Sequence, residues 1–455
     1  MARKLIAMAL CLVLLSSCAP IVINVEDLLR PPRLNERQTQ IEQALQNHIR
    51  LDSIRNQYPR EGDYRSPFVF RDMDGNGLLA AFVFYTPVAP VEGGAGIRFK
   101  VLREQRDGHW RLTDDRAGFG DQVHIVQFAN LLSPDELCLL VGWEDSDTGQ
   151  RRLDVFSFQN ERLHMLYTTA YTIFDIGPYK AGDLEQIALV RQSLTDAFQL
   201  HLLGRTLDGR LSLLGEAYLS ADTREVLGLT KGFMRDDEIN GIFVDARRFS
   251  DGHIATELFE VSTEEGAFAW LSTLVADVET EVINRIYRQT FRTDDRLLSV
   301  DLRGDGRVLI PVNREYEYPM PGLFAEAEPE APPLTFYLRF NYAGFLEVED
   351  IAVVNAEAGY LFFFPERWVG NVTVLRRPEV NEWQFWEVDP RTNLRTAELL
   401  RIRVYSVRDY PDRQISEYYT RLADRGLFQY YGYLPNSDSE FALTQLEMET
   451  NFMLL

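Results

Sequence analysis

Three oxygen-bearing side chains near residue 72 have the spacing of a cation loop. Asp72, Asp74 and Asn76 alternate in the stretch RDMDGNG, with two glycines among them. Ca²⁺ takes about six to eight oxygen ligands, and side chains at alternate loop positions can converge on one ion. An EF-hand is excluded, because its last loop position needs a bidentate Glu and position 83 is Val. The same residues suit an Asx-type turn, in which Asp accepts backbone N–H groups, so both interpretations stay open.

No complete catalytic or metal-binding motif accompanies this loop. The sequence lacks H-E-x-x-H, G-x-S-x-G, a Walker phosphate loop and paired C-x-x-C. The six histidines are scattered without metal-ligand spacing, at positions 48, 109, 124, 164, 201 and 253. Carboxylates are so abundant that a glycosidase pair could be drawn from many of them. The sequence therefore assigns no catalytic residue, and the ligand-binding residues are equally unassigned.

The N-terminus has the tripartite pattern of a secretion signal. Arg3 and Lys4 precede the apolar run Leu5–Leu15, which is shorter than the roughly 20 residues of a membrane-spanning helix. The run continues into LSSC, ending at Cys18, which resembles the bacterial lipobox. The resemblance implies removal of residues 1–17 and lipidation of Cys18, with the protein anchored on the extracytoplasmic face of the bacterial cell membrane. The alternative is an ordinary cleaved signal in which Cys18 is incidental.

Charge and cysteine content narrow the range of partners. The chain carries a formal charge of −22, and loss of Arg3 and Lys4 with the signal would leave −24. Such acidity argues against nucleic acid and anionic lipid as partners, because both bind clustered Lys and Arg. With Cys18 acylated and Cys11 removed, Cys138 has no disulfide partner. Its apolar surroundings, ELCLLVGW, predict a small buried side chain.

A tether and one helix are predicted ahead of a long β region. Residues 19–38 contain a Pro-Pro pair and show no clear period, which indicates a tether. An amphipathic helix follows within LNERQTQIEQALQNHI. Its apolar face is formed by Ile41, Ala44, Leu45, His48 and Ile49.

From residue 64 a two-part pattern recurs. One part is a hairpin of alternating strands, found in FKVLREQRDGHWRL, LDVFSFQNERLHML, LHLLGRTLDGRLSL, ATELFEVSTEEGAFAWL and TFYLRFNYAGFLEV. The other is a nearly continuous apolar strand before each hairpin, which indicates strands covered on both faces. With a first strand such as VHIVQFANL, each repeat holds about four strands, the content of a propeller blade. The sequence thus predicts a mainly β fold with about five propeller-like repeats, although independent β-sandwich modules would also use such strands.

The acidic glycine turns carry a resemblance to known repeat families. DMDGNG precedes the apolar strand of the first repeat, and DLRGDG, Asp301–Gly306, precedes that of the fifth. The region resembles FG-GAP and VCBS-type β-propeller repeats. With its LLRPPRL tether, the chain also resembles uncharacterised Gram-positive bacterial lipoproteins over residues 25–365. The resemblance implies calcium at Asp72, Asp74 and Asn76, a cofactor that the fold does not require. Arg303 stands where the fifth-repeat turn would need a second acidic ligand.

The last hundred residues are predicted to form a separate α+β domain. Strands are expected in GYLFFFPERWVGNVTVLRR, EWQFWEVD, ELLRIRVYSV and FQYYGYL. Residues 413–426 predict a helix that ends at Gly426 and has one apolar face, formed by Ile415, Tyr418, Tyr419, Leu422 and Ala423. Ser437 and Glu440 predict a capping box for the final helix.

Aromatic residues cluster in this C-terminal region, at FFFPERW (362–368) and EWQFWEV (382–388). On an accessible face, such rings could stack on sugars or hold a peptide. Buried, they would form the core of a small domain. The alternation in EWQFWEV suits one buried face, so the core is the favoured interpretation.

These patterns predict a cell-surface lipoprotein with four segments. They are a signal peptide (1–17), a lipidated tether with an amphipathic helix (18–63), the propeller-like repeats (64–354) and the α+β domain (355–455). The expected function is a non-catalytic extracytoplasmic binding or scaffold module with an envelope glycan or protein as ligand. The alternative is a hydrolase of cell-wall glycan or peptide that uses a carboxylate pair in the propeller channel.

Overall fold

A computed structural model describes most of the chain beyond its N-terminal segment. The described residues are 36–46, 54–88, 96–179, 184–193, 196–235, 238–263, 269–276, 281–313, 320–321, 331–341, 345–408, 418–435 and 438–455. They form a mainly β fold with six antiparallel sheets of four or five strands. The predicted mainly β class is therefore confirmed. Cys18 and the predicted signal peptide lie outside the described residues.

The chain divides into two compact units, and the first contains one sheet and one helix. This unit comprises 66–72, 76–118 and the described part of 1–58. Its elements are α1 (Glu36–Gln46), β1 (Ile54–Asn56), β2 (Phe68–Arg71), β3 (Ala80–Pro87), β4 (Arg98–Glu104) and β5 (Trp110–Ala117). Strand β3 is central, because it pairs with β1, β2 and β4. Helix α1 buries Ile41 and Leu45 against Val83 and Trp110, which confirms the predicted apolar face over its described part.

The second unit comprises 59–65, 73–75 and 119–455, and its first three sheets are simple meanders. The second sheet contains β6 (Gln122–Ala129), β7 (Cys138–Glu144), β8 (Arg151–Gln159) and β9 (Arg162–Ala170). The third contains β10 (Ile173–Gly177), β11 (Gln186–Gln192), β12 (Phe198–Arg205) and β13 (Leu211–Tyr218). The fourth contains β14 (Thr223–Arg235), β15 (Glu238–Arg248), β16 (Ile254–Thr263) and β17 (Ala269–Val275). In each sheet the strand order equals the chain order, as short hairpin connections require.

The last two sheets contain the strands of the C-terminal segment. The fifth contains β18 (Ile310–Asn313), β19 (Leu334–Phe340), β20 (Leu346–Asn355), β21 (Tyr360–Phe363) and β27 (Phe452–Leu454). The sixth contains β22 (Val372–Arg377), β23 (Glu382–Asp389), β24 (Leu394–Ser406), β25 (Thr420–Arg425) and β26 (Phe428–Tyr433). The remaining described elements are two α-helices, α2 (Glu281–Arg288) and α3 (Gln445–Asn451), and two short 3-10 helices, Glu366–Trp368 and Pro378–Val380.

Burial follows the apolar pattern of each strand. Residues 138–143 of β7 and 186–190 of β11 are buried without interruption. The last strands of these sheets, β9 and β13, each have only one buried residue, and five of nine residues in β9 and two of eight in β13 are exposed. Continuous apolar strands are thus covered on both faces, as predicted. The turn residues also behave as expected, since Gly108 and Gly209 in the tight turns have φ near +80°.

The C-terminal segment continues the preceding sheet. Strand β20 runs up to Asn355, where the sequence places a domain boundary, and β21 pairs with it directly. Strand β27 then pairs with β21. One hydrophobic core joins residues of the fourth, fifth and sixth sheets, including Phe243, Phe336 and Phe385. The chain therefore does not divide into compact units at residue 355.

Two predicted helical features at the C-terminus are wrong. Residues 420–425 form strand β25, where a helix was expected over 413–426. A register shift between Arg421 and Ala423 interrupts the alternation, as a β-bulge does, so that Leu422 and Ala423 both turn inward. This bulge produces the spacing that resembles one face of a helix. The capping box of α3 is formed by Thr444 and Glu447, and Ser437 lies outside the described residues.

Candidate functional site

The predicted calcium loop is organised by hydrogen bonds of its own side chains. Gly77 donates its backbone N–H to Asp72 Oδ2 at 2.8 Å, and Leu78 donates to Asn76 Oδ1 at 2.9 Å. The buried Arg103 guanidinium also donates to Asn76 Oδ1, at 2.9 Å. These contacts are those of an Asx-type turn, and they leave the Asn76 oxygen close to a cation. Asp74 is exposed. The calcium hypothesis stays a prediction.

The corresponding turn before β18 is built in the same way. Asp301 Oδ2 accepts from the backbone N–H of Gly306 at 2.7 Å, five residues on, as Asp72 does from Gly77. Asp301 Oδ1 also accepts from Gly304 at 2.8 Å. Arg303 points away from this carboxylate and pairs with Asp350 at 2.6 Å. In the described part of the chain, no group of three or more His, Cys, Asp or Glu residues is arranged to hold a metal ion.

Cys138 is a core residue. It lies at the start of β7 with 3% of its surface exposed. Burial raises the pKa of its thiol to about 11, so the thiolate that a nucleophile needs is disfavoured at neutral pH. The prediction of a small buried side chain is confirmed.

The aromatic cluster of the C-terminal region is also core. Phe362, Trp368 and Phe385 are fully buried, and their ring centroids lie 5.2 to 6.0 Å apart. The Trp368 indole N–H donates to the Phe441 carbonyl at 2.8 Å, which satisfies its only polar group. The favoured interpretation of this cluster is confirmed for these three residues, and none of them is available for stacking on a ligand.

His124 is the centre of a polar cluster that the sequence did not single out. Its Nδ1 lies 2.7 Å from the Tyr171 hydroxyl, and its Nε2 lies 3.3 Å from Glu61 Oε1. Burial, aided by the nearby Arg151 charge, lowers the pKa of His124, and burial raises the pKa of Tyr171. The Tyr171 hydroxyl fits only because residue 142 is glycine, since a Cβ there would lie 2.3 Å from it. The cluster lines neither of the cavities described next.

The larger of two neighbouring cavities is an apolar space of about 580 Å³. One wall is the stretch 227–230 of β14, and another is the segment 296–302 between α2 and β18. Residues of the fifth sheet close it, including Tyr337, Val354 and Leu454. Pockets of this size with mainly apolar walls are the usual form of small-molecule sites. We refer to it as the apolar cavity.

Three of the polar side chains that line the apolar cavity, Thr230, Ser299 and Asp301, have hydrogen-bond partners within the protein. Thr230 donates its hydroxyl to the Ser299 carbonyl at 3.0 Å. Ser299 donates its own hydroxyl to Asp245 Oδ1 at 2.7 Å, within a buried network completed by Arg292. Asp301 is the one carboxylate among the described lining residues, and both of its oxygens accept backbone N–H groups. The cavity walls therefore present mainly apolar surface to a ligand, and few of their hydrogen-bonding groups are free.

The second cavity, of about 350 Å³, has a different character. Its described lining includes three arginines, Arg296, Arg376 and Arg377, beside the aromatic ring of Trp383. Arg376 lies over the Trp383 ring, with the guanidinium carbon 5.4 Å from the ring centroid. We refer to it as the arginine cavity. Sequence reasoning missed both cavities, because their walls come from segments as far apart as 173 and 455.

Comparisons with known proteins add little beyond these observations. No family model matches the chain, and no curated protein matches it. The chain is similar to solved structures of three proteins, at 10% sequence identity in each case. For the periplasmic gluconolactonase PpgL of Pseudomonas aeruginosa, the match covers 75% of this chain and 86% of that chain, with a TM-score of 0.28. For Sqt1 of Chaetomium thermophilum, the match covers 73% of this chain and 85% of that chain, with a TM-score of 0.31. For the Dos1 propeller, it covers 75% of this chain and 72% of that chain, with a TM-score of 0.27. Similarity this low assigns neither a detailed fold nor an activity to this chain.

Among the described residues, no helix is long and apolar enough to cross a bilayer.

Proposed function

We propose that this protein is a non-catalytic, extracytoplasmic binding module that takes its ligand in the apolar cavity. The proposal rests on the hydrogen bonding of the polar side chains in the cavity walls. Their polar side chains Thr230, Ser299 and Asp301 are hydrogen-bonded within the protein. A ligand with apolar surface gains free energy there by leaving water. A glycan would place hydroxyl groups against walls that return few hydrogen bonds, and this costs free energy.

The same walls give no support to hydrolysis. A glycoside hydrolase needs two carboxyl groups that face the scissile bond. The described lining of the apolar cavity contributes one, Asp301, and its oxygens are engaged by backbone N–H groups. The described lining of the arginine cavity has two acids, Glu357 and Glu382. Glu382 accepts from Gln384 at 2.7 Å and pairs with Arg403 at 3.3 Å, so its carboxylate is already engaged. Binding is therefore the better-supported function.

A propeller-like repeat is part of the proposal. Three successive meanders of four strands, β6–β9, β10–β13 and β14–β17, have the strand content and order of propeller blades. The fifth sheet keeps this order in β18–β21 before β27 joins its edge. We place the protein outside the cell on the strength of its N-terminal signal pattern, with Cys18 as the lipid anchor.

Binding in the apolar cavity can be tested with a neutral apolar dye. Nile red should bind the folded protein with increased fluorescence, and Ala356→Phe should abolish this binding because Ala356 lines the cavity. Ala221→Phe is the matched control, since Ala221 is exposed on a turn. Equal dye binding by wild type and Ala356→Phe would overturn the proposal.

The location of the protein has its own test. In a bacterial host, wild type should sediment with membranes and incorporate a labelled fatty acid, whereas Cys18→Ala should do neither. Both effects follow from loss of the thioether anchor. Membrane retention of Cys18→Ala would contradict the lipid anchor and leave binding in the cavity unaffected.

A further inference from the structure

The apolar cavity and the arginine cavity meet. Arg296, Val354 and Ala356 line both of them. Val354 lies on β20 and Ala356 in the turn that follows it, while Arg296 comes from the segment after α2. A ligand that enters at these residues therefore has an apolar space on one side and a group of arginines on the other.

The arginine cavity carries an excess of positive charge in a strongly acidic protein. Its described lining has three arginines and two acids, Glu357 and Glu382. Glu382 is already paired with Arg403, which is not part of the lining. In a chain of net charge −22, three guanidinium groups along one cavity would attract an anionic group of a ligand.

Arg296 at the junction retains hydrogen-bonding capacity. Its Nε and Nη2 both donate to Asp294, at 2.9 Å. Its Nη1 makes no hydrogen bond to any residue that the structure describes. A guanidinium presents five N–H donors, so Arg296 can hold Asp294 and still donate to a ligand.

Arg377 is similarly placed to meet a ligand. It is exposed at the end of β22, and it pairs only loosely with the exposed Glu379, at 3.9 Å. Exposed pairs of this kind contribute little, about 0 to 1 kcal/mol. An anionic group between Arg296 and Arg377 would therefore displace weak interactions and gain charge-assisted hydrogen bonds.

From this arrangement we infer that the two cavities form one bipartite site for an anionic amphiphile, with an alkyl chain in the apolar cavity and an acidic head group among Arg296, Arg376 and Arg377. The inference rests on the proposed function, because the apolar cavity must first bind apolar ligands. It adds the chemical class of the ligand, a long-chain carboxylate or a group of the same charge.

Three alkyl compounds of equal chain length test the head-group requirement. Dodecanoate, dodecanol and dodecyltrimethylammonium are compared as competitors of Nile red on the full folded protein, the two ions below their micellar concentrations and dodecanol below its solubility limit. Dodecanoate should bind at least about tenfold more tightly than dodecanol, a difference of about 1.4 kcal/mol, and the cation should bind most weakly. Acetate should not compete, because the head group alone lacks the chain.

Substitutions of the arginines test which residues cause the preference for dodecanoate. The double variant Arg296→Gln/Arg377→Gln should lose the preference for dodecanoate and keep its affinity for dodecanol. Arg391→Gln is the matched control, since Arg391 is exposed and lines neither cavity. The wild-type preference should also shrink as salt is raised, because salt screens exposed charges.

The two proposals fail in different ways. Equal affinities of wild type for dodecanoate and dodecanol, with Nile red still blocked by Ala356→Phe, would overturn the bipartite site and leave the proposed function intact. Competition by acetate as strong as by dodecanoate would point to a free-anion site and would also overturn it. Dye binding that Ala356→Phe does not affect would remove the proposed function itself.

Discussion

Two regions of the second unit have similar apolar composition and opposite packing. Around Trp368, aromatic rings lie 5.2 to 6.0 Å apart and fill the space between the fifth and sixth sheets. At the apolar cavity, side chains such as Leu229, Val354 and Leu454 face an open space of about 580 Å³. An apolar sequence pattern therefore shows which residues leave water. It does not show whether those residues then fill the space between them.

The largest expected effect is at the packed region. Trp368→Ala should lower the free energy of unfolding by about 3–5 kcal/mol, because it removes a fully buried indole and leaves a cavity. Urea denaturation followed by circular dichroism measures the change. Trp386→Ala is the control, since Trp386 is only partly buried on β23. If both variants lost the same unfolding free energy, the packing around Trp368 would contribute no more to stability than the packing around Trp386.

The buried ion pair behind the cavity wall should give an effect of similar size. Asp245 and Arg292 are 1% and 2% exposed and lie 2.6 Å apart. Arg292→Met should cost about 3–5 kcal/mol of unfolding free energy, because Asp245 would remain buried without its counter-charge.

Arg247→Met supplies the comparison for that pair. Arg247 pairs at 3.2 Å with Glu225, which is more than half exposed. Its loss should cost below about 1 kcal/mol. If thermal unfolding shows the same loss of stability for Arg292→Met and Arg247→Met, the Asp245 network does not stabilise the cavity wall.

Enlarging two alanines distinguishes open space from filled space. Ala352 on β20 is fully buried beside Tyr337 and Leu361, so Ala352→Phe should destabilise by about 1–3 kcal/mol through overpacking. Ala356→Phe places the same ring at the apolar cavity and should stabilise by about 0.5–2 kcal/mol, as cavity-filling changes do. Destabilisation of both variants to the same extent would contradict an open cavity.

The smallest effect is expected at the turn of residues 72–77. Because Asp72 and Asn76 already accept hydrogen bonds from Gly77, Leu78 and Arg103, a metal chelator should leave the melting temperature of wild type unchanged. A chelator-induced fall that is absent from Asp72→Ala/Asp74→Ala would instead establish calcium at this turn.

Most of the strands could be predicted from the sequence. Alternation and tight turns locate hairpins such as β4–β5 and β12–β13, because both signals are local. The prediction fails at β25, where a bulge gives a strand the apolar spacing of a helix. The pairing of β20 with β21, across the predicted boundary at residue 355, was likewise not evident from local patterns.

The candidate site was outside the reach of sequence reasoning for the same physical reason. Arg296 and Arg377 have no common motif, and they line one cavity only after α2, β20 and β22 have taken their places. Local patterns in the sequence predict the β hairpins, the acidic turns and the apolar residues that the strands bury, since these depend on neighbours along the chain. Tertiary structure alone decided which apolar walls meet and which stay apart, because packing density is a property of side chains brought together from distant segments.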